Sequence, residues 1–78
     1  MDIKILGTGC AKCQKLESIT RHAVTALELD ADIDKVTDPG EIASWGVMAT
    51  PALVIDGRVV VAGRVPDEHD LTELLIDR

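Results

Sequence analysis

Seventy-eight residues make one domain, 1–78, with a modest core, since a chain this short buries roughly 60% of its unfolded surface. The core must be aliphatic, because the chain carries one Trp and neither Phe nor Tyr. A hydrophobic content of 46% argues against disorder, and a net charge of −6 disfavours nucleic acid and anionic membrane, both of which require a positive face.

The charge is uneven. Residues 1–25 hold Lys4, Lys12, Lys15 and Arg21 against Asp2 and Glu17, a balance of +2, which leaves −8 for the remainder. Both cysteines, Cys10 and Cys13, lie in that one basic stretch.

The chain opens on an apolar strand containing Ile3, Ile5 and Leu6. No charged leader precedes a long apolar run there, so neither a signal peptide nor a membrane span is expected. The expected compartment is the cytoplasm. Structural disulfides are rare there, and a close cysteine pair reads as catalytic or metal-binding.

Gly7-Thr8-Gly9 breaks the strand. From Cys10 to Leu29 the pattern is helical, with Cys13, Leu16, Ile19 or Thr20, Ala23 and Leu27 recurring at three- and four-residue steps. Glu17 and Arg21 stand i,i+4 in the favourable order. Asp30 to Val36 alternates weakly and predicts an edge strand blunted by its charges. Asp38-Pro39-Gly40-Glu41 starts a short helix: Asp38 caps, Pro39 suits the first position and Glu41 completes a capping box. Gly46 ends it after Trp45. Pro51 opens a strand from Ala52 to Ile55, Asp56-Gly57 is a two-residue hairpin turn, and Arg58 to Ala62 returns. Pro66-Asp67 starts a last helix with Leu71, Leu74 and Leu75 as its buried stripe. The order is β-α-β-α-β-β-α, an α/β fold. Its first two strands are expected to pair in parallel and its hairpin to add an antiparallel pair, giving a four-stranded mixed sheet flanked by helices.

The chemistry centres on Cys10-Ala11-Lys12-Cys13. Residues three apart at a helix start share a face with Cβ atoms about 5–6 Å apart, close enough for a reversible disulfide after small adjustment. Cys10 falls at the helix tip, where unpaired amides and the dipole favour a thiolate, and Lys12 places a cation nearby. Cys13 lies on the core stripe and is expected to be shielded. Cys10 therefore reads as the attacking sulfur and Cys13 as the resolving one. Lys12 tunes the thiolate, docks an acidic partner, or is simply solvated; the sequence leaves all three open. Against the redox reading stand two others: an ordinary buried pair, and half of a zinc site. Zinc needs four ligands in a structural site, and His22 and His69 show no ligand spacing to the pair. Both histidines are expected at the surface, Trp45 in packing, and Met48 in the core.

A proline at a strand start cannot donate to the ladder, and Thr50-Pro51 is a candidate cis peptide. With the cysteine pair and in this order, it completes a resemblance to the thioredoxin superfamily, nearest to its small glutaredoxin-like thioredoxins, the redox-active disulfide proteins. The resemblance rests on the opening strand, Gly9 to Cys13, Val47 to Gly57, and Gly63-Arg64-Val65-Pro66, and covers nearly the whole chain. It implies a cis Pro51 beside the cysteines, and a Thr50 backbone that pairs with an extended substrate segment by strand addition. Gly9, Ala11 and Lys12 join them as the expected substrate-contacting surface. It further implies a redox-active Cys10–Cys13 disulfide with no other cofactor and no metal. The implied partners are protein disulfides and a donor that is either a flavin-dependent reductase or glutathione. The chain departs from family patterns at Gly9 and Ala11-Lys12, the cysteines' neighbours. It departs again at Lys4, where typical thioredoxins carry a buried Asp, and it has only Gly63 and Asp67 where glutaredoxins clamp glutathione.

The rival function is a copper or zinc carrier using the same thiolates. Copper carriers of this size follow β-α-β-β-α-β, end in a strand and commonly place a Met just before the pair. Here Thr8-Gly9 precede it and the chain ends in a helical pattern. The expected protein is a monomeric thiol–disulfide oxidoreductase, since no long apolar surface stripe remains once the core is assigned.

Overall fold

The structure, a computed structural model, describes residues 1–76. Its elements are β1 (Asp2–Leu6), α1 (Ala11–Ala26), β2 (Asp32–Val36), α2 (Pro39–Ser44), β3 (Ala52–Ile55), β4 (Arg58–Ala62) and α3 (Glu68–Ile76). The sheet order is β2-β1-β3-β4. β1 runs parallel to β2 and antiparallel to β3, and β4 is antiparallel to β3. The α/β class, the element order and the four-stranded mixed sheet are those the sequence predicts.

The alternation of side chains along each strand divides the core in two. Ile3, Ile5, Leu53, Ile55 and Val61 face Leu16, Ala23 and Val24 of α1 and Leu71 and Leu75 of α3. Leu6, Val36, Ala52 and Val54 face Ile42 of α2, with Trp45 and Val47 packed at the margin. β3 is central and covered on both faces, so all four of its residues are buried. That accounts for its unbroken apolar run. Asp56 (φ +50°) and Gly57 (φ +81°) form the hairpin turn, whose two positive φ angles suit the twist of the flanking strands. The β3–β4 pairing contains a bulge at Leu53/Val54, where Leu53 pairs with Val61 but Val54 with Val59.

Four local readings change. α1 ends at Ala26, not Leu29: Leu27 caps it and Glu28 turns left-handed at φ +54°. The Leu29 amide then bonds back to the Val24 carbonyl at 3.0 Å, which redirects the chain toward β2. β2 accordingly starts at Asp32 and not Asp30. Of the α3 stripe, Leu71 and Leu75 are buried but Leu74 is only half-buried at the edge of the core. Met48 is not a core residue at all. It is 99% exposed, because it sits in the irregular segment between α2 and β3, where no element turns it inward.

Candidate active site

Strand β1 delivers the chain to the site. The Gly7 amide continues its pairing with β2 through a 2.9 Å bond to the Val36 carbonyl, and Gly7-Thr8-Gly9 then swings into α1. Gly7 is buried. A Cβ built there would overlap Cys13 Sγ, so the sulfur occupies space that only glycine leaves open.

Cys10 is the N-cap of α1, extended at φ −69° and ψ 169°. Its sulfur takes the part that a Ser or Asp oxygen plays in other helices. It accepts the Cys13 amide at 3.3 Å and lies 2.7 Å from Cys13 Sγ. Both cysteines are unbonded thiols, Cys10 exposed and Cys13 buried. The hydrogen bond from the Cys13 thiol, followed by that from the Cys13 amide, draws the Cys10 thiol below its ordinary range. Lys12 contributes there through its backbone amide. Burial, followed by the hydrogen bond to Cys10, pushes the Cys13 thiol up. One sulfur is thus accessible and readily ionised, and the other is shielded and holds its proton. These are the requirements of a captor and a resolver in disulfide exchange.

Strand β3 brings the second part. Leu6 pairs with Ala52, and continuing that antiparallel register by one step sets Pro51 across from Gly7. Thr50-Pro51 is cis. Pro51 is buried, its carbonyl accepts the Gly63 amide at 2.8 Å, and Thr50 is exposed. The loops carrying Cys10 and Thr50 therefore emerge from the same end of the sheet. Gly9, Ala11 and Lys12 are exposed on the first of them, and Met48 and Ala49 on the second. The sequence singled out the cysteines, Thr50 and Pro51. It did not reveal Gly7 as a spacer for sulfur or Met48 as a surface group. Gly7 reads as one more loop glycine until the helix is docked, and a lone Met between Val47 and Ala49 carries no periodic signal.

Lys4, at the position of the typical buried Asp, turns to Asp2 instead, with 2.9 Å between Nζ and the carboxylate. His22 and His69 are at the surface beside Glu68 and Glu73. Among the described residues, no group of three or more His, Cys, Asp and Glu side chains is gathered as a metal site. The order of the described elements, β-α-β-α-β-β-α, is not the β-α-β-β-α-β of the copper carriers and does not favour the carrier reading. No helix among the described residues is long and apolar enough to cross a membrane.

The chain matches the model of the family described as "Thioredoxin domain" over residues 1–76. It is 40% identical over 75 residues to a thioredoxin of Methanothermobacter thermautotrophicus, covering 96% of this chain and 97% of that one. It is 42% identical over 73 residues to a thioredoxin of Methanocaldococcus jannaschii, covering 94% of this chain and 84% of that one.

Proposed function

This chain belongs to the thioredoxin family, and from that premise we propose that its Cys10–Cys13 pair exchanges with the disulfides of other proteins. Thioredoxins are thiol–disulfide oxidoreductases that carry their redox group in the chain itself, and this pair fills that place. The observation that carries the proposal is the contrast between two sulfurs 2.7 Å apart, one exposed with its acidity raised by hydrogen bonds from Cys13, one buried with its acidity lowered by that burial.

The Cys10 thiolate attacks one sulfur of the substrate disulfide. A Cys10–substrate bond forms, and the other substrate sulfur leaves with the electron pair and is protonated by solvent. Cys13 then attacks Cys10 Sγ, losing its proton. The Cys10–Cys13 bond forms and the second substrate sulfur leaves as a thiolate. Two electrons have passed from the dithiol to the substrate disulfide. Thr50, an exposed residue, lends its backbone to an extended substrate segment, Pro51 walls the site, and Gly9, Ala11 and Lys12 complete the rim. Main-chain pairing of that kind tolerates many sequences. The reduced state is restored by a flavin-dependent reductase or by glutathione. The protein works as a monomer in the cytoplasm.

Insulin reduction in the presence of dithiothreitol tests the reading. Turnover disappears in Cys10→Ser, and Cys13→Ser accumulates a mixed disulfide visible by mass spectrometry. Stoichiometric, tightly held metal with no reductase activity would instead establish the carrier. Omitting dithiothreitol and supplying either glutathione or a flavin reductase identifies the donor.

A further inference from the structure

The resolving step leaves one proton unaccounted for. While Cys10 is a thiolate it accepts the Cys13 hydrogen bond, but once Cys10 is bonded to substrate its sulfur is no longer a base. Cys13 is 5% exposed, so its proton needs a way out.

Behind Cys13 lies a recess of about 90 Å³, lined by Gly7, Cys13, Gln14, Glu17, Lys35 and Thr37 among others. It is large enough for water, and Gln14, Glu17, Lys35 and Thr37 bring polar groups to a lining that is otherwise apolar. Glu17 follows Cys13 by one helical turn, so the two share a face of α1, with Cβ atoms about 5–6 Å apart. The Glu17 side chain is only 20% exposed. Its carboxylate meets Lys35 Nζ of β2 at 3.4 Å and Arg21 Nε of α1 at 3.0 Å. Among the described residues, these are the charged groups paired with it.

We propose that Glu17 is the proton relay for Cys13: water in the recess takes the thiol proton as Cys13 attacks Cys10, and the Glu17 carboxylate orients that water and passes the proton to solvent. The inference rests on the exchange reaction proposed above. It gives Glu17 a positioning role, acting through water on the reacting sulfur. Arg21, with Lys35, holds the Glu17 carboxyl below its usual range. The relay is therefore ionised throughout the neutral range, at the cost of weaker basicity.

A mixed disulfide between Cys10 and thionitrobenzoate isolates the step, because release of the coloured thiolate reports Cys13 attack alone. In Glu17→Gln, release slows about tenfold at neutral pH, less than the roughly hundredfold or more of a direct general base, because Glu17 acts through water and its basicity is weakened by Arg21 and Lys35. It rejoins the parent rate at alkaline pH, where the Cys13 thiol ionises unaided. Arg21→Gln strengthens the base and speeds neutral release, an opposite sign that a folding defect cannot mimic. The Cys10 alkylation profile is unmoved in Glu17→Gln. Unchanged release in both variants, or a slowing by the same factor at every pH, overturns the relay. If the parent itself fails to release the dye, it is the exchange reaction that falls.

Discussion

At the scale of single residues, the two thiols divide their labour through one another. Cys10 gains acidity first from the Cys13 thiol and only then from the helix amides. Its ionised form is favoured, so its alkylation by iodoacetamide rises at lower pH than that of an ordinary thiol. Cys13→Ala removes the larger cause while keeping the amide, and the midpoint of that profile moves up. Lys12→Met leaves the Lys12 amide in place and moves it less. Were Lys12→Met the larger shift, the ammonium would outweigh the neighbouring thiol. Gly7 governs the pair by what it lacks. Gly7→Ala forces a methyl into Cys13 Sγ. Overpacking of this kind costs about 1–3 kcal/mol, which urea unfolding measures. The displaced sulfur also closes its bridge to Cys10 more slowly under oxidant. The cysteines were legible because their spacing is itself the chemistry. Gly7 was not, because its role exists only once α1 lies against the end of β1.

The elements were legible where local rules act alone. Asp38 accepts the Glu41 amide at 3.0 Å with Pro39 behind it, the helix start that its residues announce. Asp38→Ala costs about 1 kcal/mol, seen as a lower urea midpoint. Because Trp45 caps the far end of this six-residue helix, its emission follows the loss. The Asp67 side chain likewise accepts the Asp70 amide at 2.8 Å at the head of α3. The turn from α1 into β2 was not legible. Its left-handed Glu28 is imposed by the need to run β2 parallel to β1, a demand that Glu28 and its neighbours do not encode. Met48 failed for the opposite reason: its hydrophobicity predicts burial, but no strand or helix is there to direct it.

For the whole molecule, the thioredoxin-like fold follows from two apolar faces on one small sheet. The apolar residues of β1 and the unbroken run of β3 were readable, but their division between two faces emerges only once helices cover both sides of the sheet, and the two faces together leave little redundancy. A chain of this size holds about 4–12 kcal/mol of stability. Leu53 is fully buried on the central strand, between β1 and β4. Leu53→Ala costs about 2–5 kcal/mol, a large share of that total. Thermal unfolding registers it as a marked drop in Tm, and a neutral outcome would mean that the core readily closes over the gap.

The irregular step between β3 and β4 bears on crowding. β4 is an outer strand, and its Val59-Val60-Val61 run is the stretch best suited to recruit a neighbouring chain into a growing fibre. The extra residue at the bulge breaks its hydrogen-bonding comb and coils the ribbon, so an incoming copy finds no flat template to zip against. The opposite margin, bristling with Asp32, Asp34 and Lys35, repels the same advance by charge. A sheet with two open sides is thereby shielded from endless stacking by geometry on one flank and by hydration on the other.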